Sequence, residues 1–290
     1  MSKLTLLITG AKGQLGCTLR QIAPDYPAFD FVFTDVDELD ITRADSITAS
    51  FERYRPAWCI NAAAYTAVDK AETERQAAYA INVEAVRLLA AACRMYGTAM
   101  LHISTDFVFN GSQSVPLTEE DSAEALNYYG ETKRQGEILL QQSGIPHVII
   151  RTSWLYSPYG SNFVKTMLRL GRERGTLNVI DDQIGTPTFA EDLARTIMVV
   201  IQHDHHAQPA YGLYHYSNQG AASWYDFAHA IFDIANVQVA LHPIPTSAYP
   251  TPARRPHYSL MNKAKIKHTF GISIPHWRES LQRCLLLMNE

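Results

Sequence analysis

The 290 residues are 47% hydrophobic and carry a formal net charge of −4, with 29 acidic and 25 basic side chains interspersed rather than blocked. A chain of this size can bury one large core or a core with a smaller second lobe, and it lacks the basic footprint of a nucleic-acid or membrane-surface binder, so a small molecule is the expected partner. Cys17, Cys59, Cys93 and Cys284 are scattered without a Cys-x-x-Cys pair, which speaks against a zinc site and for reduced thiols in a cytoplasmic protein. No apolar run of about 18 residues marks a membrane span, and the apolar run before Gly10 is too short for a secretory leader.

Leu4 to Thr9 is a compact apolar run closed by glycine, the pattern of a strand covered on both faces of a parallel sheet. Gly10, Gly13 and Gly16 follow and open an amphipathic segment from Gln14 to Ala23. Glycines at that place allow a tight turn and close approach of backbone to a pyrophosphate, a dinucleotide fingerprint whose spacing differs from Gly-x-Gly-x-x-Gly. A second strand, Phe31 to Thr34, leads to Asp35, about 20 residues past the last glycine, where an acid holds ribose hydroxyls. That favours NADH, while Lys12 in the glycine turn offsets the carboxylate and leaves NADPH open; Asp35 and Asp37 as plain turn acids are the alternative. Asp40 and Ile41, with Thr42, lead into a helix from Ala44 to Tyr54, which Asp40 or Thr42 can cap.

Trp58 to Ile60 is a third strand, and Ala62, Ala63 and Ala64 at its carboxyl end leave room for a cofactor to lie against backbone. A single long helix is predicted from Val68 to about Tyr96, with Asn82 inside it as a hydrogen-bonding group that orders the site. The fourth strand, Met100 to Ser104, delivers Thr105 and Asp106 to the same edge; their hydroxyl and carboxylate can reach a substrate or simply form a turn. Residues 111–127 read as a loop able to close over a ligand. The helix from Tyr128 to Ser143 then places Tyr129 and Lys133 one turn apart on one face, where an ammonium beside a phenol would lower its pKa. Val148 to Arg151 is a fifth strand, and five strand-helix units in order predict a Rossmann-type α/β fold, a doubly wound parallel sheet, over residues 1–153.

Residues 154–290 read as mainly a smaller C-terminal substrate-binding lobe, some of whose elements return to pack on the first domain. It holds a helix from Phe163 to Leu170, a strand from Leu177 to Ile180, a helix from Ala190 to Gln202, a strand from Gly212 to Tyr216 and a helix from Ser223, its cap, to Ile234. His203-Asp204-His205-His206 is read as solvated loop rather than a metal site. Arg254 and Arg255 end a Pro-rich loop, where paired guanidiniums can hold a diphosphate or lie exposed. A final helix buries Trp277, Leu281, Cys284, Leu285 and Met288 on one face.

With these residues assembled, the chain resembles the extended short-chain dehydrogenase/reductase family over nearly its whole length. The likeness rests on Gly10-x-x-Gly-Gln-Leu-Gly16, the run from Asn61 to Glu72, Ser104 to Phe109, Tyr129-Gly-x-x-Lys133, Arg151 to Trp154, Asp182 to Thr188, and Pro245 to Pro252 with Arg255-Pro256. The resemblance implies reduction of the C4 ketone of dTDP-4-dehydro-L-rhamnose to dTDP-L-rhamnose, with hydride from NADH or NADPH and Tyr129 as proton donor. Thr105, Tyr129 and Lys133 are then the catalytic set. Gln14, Leu15, Asp40 and Ile41 join the glycines, Asp35 and the three alanines in the cofactor site. The resemblance implies that Thr105, Asp106, Trp154, Asn162 and Arg255 contact the nucleotide sugar. One departure is Phe107, where the family usually has Tyr; the ring is kept and its hydroxyl lost. The resemblance also implies, for some members, a homodimer with Mg²⁺ on carboxylates at the dimer contact, but no matching acidic cluster can be placed here and no metal ligand is assigned. The alternatives of the same fold are a nucleotide-sugar epimerase or dehydratase and a non-catalytic regulatory subunit.

Overall fold

The computed structural model describes residues 3–206 and 209–288. Its first half alternates strand and helix: β1 (Leu4–Thr9), α1 (Gln14–Ile22), β2 (Phe29–Phe33), α2 (Ala44–Tyr54), β3 (Trp58–Asn61), α3 (Val68–Ala71), α4 (Arg75–Tyr79), α5 (Ala85–Tyr96), β4 (Ala99–Thr105), α6 (Tyr128–Gln142) and β5 (His147–Thr152). Alternation along each strand sets the two cores. Leu6, Ile8, Trp58, Ile60, Leu101, Val148 and Ile150 point to one face of the sheet, and Leu7, Cys59, Met100 and Ile149 to the other. Each such side chain, fully withdrawn from water, contributes about 1.5–3 kcal/mol. Leu15, Leu19 and Ile22 of α1 cover the first face, while α2, α5 and α6 cover the second through Phe51, Leu89 and Leu140.

The second half continues through β6 (Leu155–Tyr156), α7 (Phe163–Glu173), β7 (Thr176–Ile180), β8 (Ile184–Gly185), β9 (Thr188–Phe189), α8 (Ala190–His206), β10 (Gly212–His215), β11 (Ala222–Ser223), α9 (Trp224–Ile234), β12 (Ala240–Ile244), α10 (Ala264–Phe270) and α11 (Trp277–Leu287). Two of these elements return to the first half. β10 pairs in parallel with β5 as a sixth strand, and α8 lies beside α1 with Leu193, Ile197 and Ile201 in the same core. The sheet order is β10-β5-β4-β3-β1-β2, so the chain reverses direction across the sheet between β1 and β3. Ligands of open parallel sheets bind at such a reversal, beyond the carboxyl ends of the strands. A third core, built on Tyr156, Phe189, Phe227, Ile231 and Leu281, joins α7, α9 and α11 around the parallel pair β7 and β12.

Two sequence expectations are corrected here. The helix predicted from Val68 to Tyr96 is three helices joined by a loop and a π-turn at Ala80–Glu84, because buried side-chain bonds interrupt the ladder where no Gly or Pro does. The segment read as loop at His203–His206 is the last turn of α8. Loop 111–127 is also pinned rather than free: Leu117 pairs with Met261, and Glu119 Oε1 accepts the His215 N–H at 2.8 Å. No described helix is long and apolar enough to cross a membrane. Among the described residues no group of three or more His, Cys, Asp or Glu side chains is placed to hold a metal ion.

Candidate active site

A cavity of about 860 Å³ opens at the reversal point. Its near wall carries Gly10, Gly13, Gln14 and Leu15, the three alanines after β3, and Asp35, Asp40 and Ile41, while Gly16 is buried just behind in α1. Gly10 has φ +66° and backs onto β3 so closely that a Cβ would stand 2.8 Å from the Ala63 backbone. Gly13 starts α1 without a side-chain cap, so the first amides of that helix have no side-chain acceptor and lie at the cavity wall. Asp35 borders the cavity, yet its oxygens also hold the turn, accepting the Lys12 N–H at 2.8 Å and the Val36 N–H at 2.9 Å. Lys12 itself is exposed and paired with Asp37, beside that wall. Asp40 bonds Thr42 at 2.6 Å.

The far wall joins the end of β4 to the start of α6. Asn127 caps α6 by accepting the Gly130 N–H at 2.8 Å, and Gly130 lies so close to Phe107 that a Cβ there would run into its carbonyl oxygen. This seats Tyr129 beside Thr105 and Asp106, with the Phe107 ring edge-on to the phenol at 5.8 Å. The ring kept at Phe107 thus packs on Tyr129. Burial pushes the Tyr129 phenol up to about 12, against a smaller downward pull from the Thr105 hydroxyl. The sequence expectation that Lys133 lowers this pKa is corrected: Nζ turns away, donating to Ile103 O at 2.7 Å and meeting His102 Nε2 at 3.3 Å. Burial in turn brings Lys133 down to about 8. Asp106 is 1% exposed, its Oδ2 meets no partner among the described residues, and burial raises it to about 6. Ser104 Oγ, also at the wall, is likewise unpartnered.

The second half closes the cavity. Trp154, at φ +47°, stacks on Trp224 with centroids 3.6 Å apart, and both rings face the space. Asn162 lies on the wall with its side chain spent inside the protein: Oδ1 caps α7 at the Lys165 N–H, and Nδ2 donates to Gln14 Oε1 at 2.9 Å and Ser157 O at 2.8 Å. Gln14, expected at the cofactor, tethers the glycine turn to the second half through these bonds and one to Leu155 O. Arg255 forks onto Asp69 at 2.8 and 2.9 Å. Phe107, Trp154, Trp224 and Arg255 also border a second cavity of about 890 Å³ between β7, β12 and the Pro-rich loop, so the two spaces adjoin. Sequence reasoning missed Trp224 on the cavity wall and the roles of Asn61 and His102 beneath it. None has a local signal: a Trp opening an amphipathic helix and a His inside an apolar strand read as core.

A family model described as RmlD substrate binding domain matches residues 4–289. The dTDP-4-dehydrorhamnose reductase of Aggregatibacter actinomycetemcomitans is 42% identical over 284 residues, 96% of this chain and 97% of that protein. The enzyme of the same name from Escherichia coli K12 is 42% identical over 291 residues, 97% of each. The crystal structure of dTDP-4-dehydrorhamnose reductase from Bacillus anthracis in complex with NADP superimposes with a TM-score of 0.93 at 39% identity, covering 98% of this chain and 99% of that one.

Proposed function

This chain belongs to the RmlD substrate binding domain family, and we propose that it is an NAD(P)H-dependent reductase converting dTDP-4-dehydro-L-rhamnose to dTDP-L-rhamnose. The observation that carries the reading is one continuous space in which an uncapped helix N-terminus, Thr105, Tyr129 and Lys133 meet a stacked Trp pair and a guanidinium. The residues fit a dinucleotide: the free amides of α1 suit a pyrophosphate, and Ala62 to Ala64 expose backbone beside it. When bound, the nicotinamide supplies the hydride. Asp35 favours a free ribose hydroxyl and Lys12 a 2′-phosphate, so both cofactors have a partner in this wall.

In this reading Tyr129 holds its proton firmly at neutral pH, as a buried phenol should, and gives it to the C4 oxygen as that oxygen gains charge. An alkoxide is far more basic than a phenolate, so the transfer runs downhill even from a phenol at about 12. Thr105 hydrogen-bonds the same oxygen and orients it. Lys133 gives its remaining N–H to the nicotinamide ribose. Asp106 accepts a sugar hydroxyl, Trp154 covers a sugar or base face, and Arg255 faces the diphosphate across the junction of the two cavities. Buried free thiols at Cys59, Cys93 and Cys284 fit a cytoplasmic setting for this chemistry.

The test is cofactor absorbance during incubation with a panel of keto sugar nucleotides. Oxidation is expected with the dTDP-linked 4-ketone, and Tyr129→Phe should abolish most turnover while substrate and cofactor affinities stay nearly unchanged. Folded, cofactor-bound protein that oxidises none of the panel would sink the reductase reading; retained kcat in the Phe variant would assign the proton to another group.

A further inference from the structure

Beneath the floor of the cavity a buried polar chain runs from β1 across β3 and β4 to α6. Thr9 Oγ1 donates to Asn61 Oδ1 at 2.7 Å, Asn61 Nδ2 meets His102 Nδ1 at 3.0 Å, and His102 Nε2 meets Lys133 Nζ at 3.3 Å. All four residues are 1% exposed, so water does not take the place of any link. Nothing in the proposed reaction uses Asn61 or His102.

The direction of this chain and the charge of Lys133 are locked together. An ammonium has three N–H bonds and no lone pair, so it can only donate to Nε2; an uncharged amine can accept there. A neutral imidazole carries one N–H, so its two nitrogens always play opposite roles. With Asn61 Nδ2 donating to Nδ1, the ring proton sits on Nε2 and Lys133 must accept it as the free amine. A half-turn of the Asn61 amide presents oxygen to the ring and turns Nδ2 to Thr9 Oγ1, which then accepts instead of donating; the ring proton sits on Nδ1 and Nε2 receives a bond from the ammonium. One proton separates the two patterns. On its uptake the Nε2 proton passes to Nζ, the incoming proton ends on Nδ1, and the ring stays neutral throughout.

We propose that the Asn61–His102 pair positions Lys133 and couples its charge to the ring tautomer, serving the ammonium in one orientation and the amine in the other without moving the backbone. Ile103 O and His102 take two directions around Nζ, so the third faces the cavity. The surroundings agree. Burial holds the His102 ring well below the usual histidine range, with the charge of Lys133 adding to it, so the ring does not compete for the proton as a cation. Of the charged groups near Lys133, Glu137 on α6 favours the ammonium but is spent in a bidentate pair with Arg151 on β5 at 2.6 and 2.9 Å. Asp106 and Tyr129 stand at the cavity wall. Asp69 and Lys70 on α3, Arg75 on α4, Glu84 in the π-turn and Arg87 on α5 lie partly or largely in solvent. His102 is the ionisable side chain in direct contact with Nζ.

The proposal rests on the reductase reading only where turnover is measured. The first experiment is nitrogen NMR of the histidine rings in the full chain without cofactor, with His102 assigned by its loss in His102→Gln. Between about pH 6 and pH 10 the ring should stay neutral while its proton moves from Nδ1 to Nε2 in step with titration of Lys133 Nζ. A single tautomer across the range, or an imidazolium near neutrality, overturns the proposal. The second experiment follows NADPH affinity by calorimetry, and kcat, against pH. The Asn61→Asp carboxylate can only accept, and its charge also favours the ammonium, so the alkaline limb should rise by about one pH unit; His102→Leu removes the acceptor, so it should fall by about as much. His102→Gln, whose amide reaches close to the Nε2 position, should return the limb toward its original place. Limbs that stay put in Asn61→Asp and His102→Leu, whatever the loss of thermal stability, overturn the proposal. A protein that binds cofactor with the expected limb but reduces none of the sugars leaves the relay standing and dismisses the reductase.

Discussion

At the scale of single residues, Asp106 is held against its own solvation. Its carboxyl is buried, one oxygen meets no partner among the described residues, and its pKa is raised to about 6 by burial. An unfolded aspartate titrates near 3.9, so between about pH 4 and pH 6 the folded chain binds more protons than the unfolded one. Stability is therefore lost as pH rises through that window and stays lost above it. Asp106→Asn should unfold later than the parent by about 2–3 kcal/mol above pH 6, with the gap closing toward pH 4. Calorimetric melts across pH decide it; a gap of constant size would mean that Asp106 ionises as it does in water. The same variant should raise KM for the sugar nucleotide, since a strained acceptor is kept for a ligand hydroxyl. Tyr129 and Lys133 were legible in the sequence because their spacing is a local property. The upward shift of the phenol was not, since it depends on packing by Phe107 and Asp106, which join from the end of β4.

At the scale of elements, the caps at Ser223 and at Asn127 answer to local chemistry, and the first of them is readable from the chain. The break between α3 and α5 is not. Residues 68–96 hold no Gly or Pro and keep a helical apolar period, so propensity argues for one rod. What wins is long-range bonding: Glu72 Oε1 takes the Tyr128 N–H at 2.8 Å, and Asn82 bonds the N–H and C=O of Tyr65 at 2.9 and 3.1 Å and Thr132 Oγ1 at 3.1 Å. The π-turn thus ties the loop after β3 to the helix that carries Tyr129 and Lys133, a use to which such turns are often put. Asn82→Ala leaves these buried partners unpaired, at a cost of about 2–4 kcal/mol. Because the loop holding Ala62 to Ala64 loses its tie, KM for the cofactor should rise more than kcat falls. Thermal melts and steady-state kinetics read the two effects separately, and an unchanged cofactor KM would detach the π-turn from the cofactor site.

At the scale of the molecule, the first five strands and their order of appearance follow from apolar runs and the glycine turn. The place of β10 does not, because a strand's neighbour is chosen by pairing between residues about 64 positions apart, such as Leu213 with Ile149. The joining of the two halves around the cavity is equally long-range, and Arg255 shows what that joining does. Its guanidinium forks onto Asp69, with further bonds to Thr251 Oγ1 at 2.7 Å and Ala253 O at 2.8 Å. Asp69 is 40% exposed, and ion pairs of that exposure contribute about 1 kcal/mol or less. As a strap alone, Arg255 would therefore matter little. As a planar, permanently charged group held at the border of both cavities, it is placed to meet a diphosphate, which two N–H bonds recognise better than a point charge does. Arg255→Ala should then raise KM for the sugar nucleotide by about tenfold or more, with kcat within about twofold and a small change in melting temperature. Arg255→Lys, which keeps the charge and loses the fork, should fall between. A lowered melt with an unmoved KM would return Arg255 to the role of a strap and leave the diphosphate to other donors.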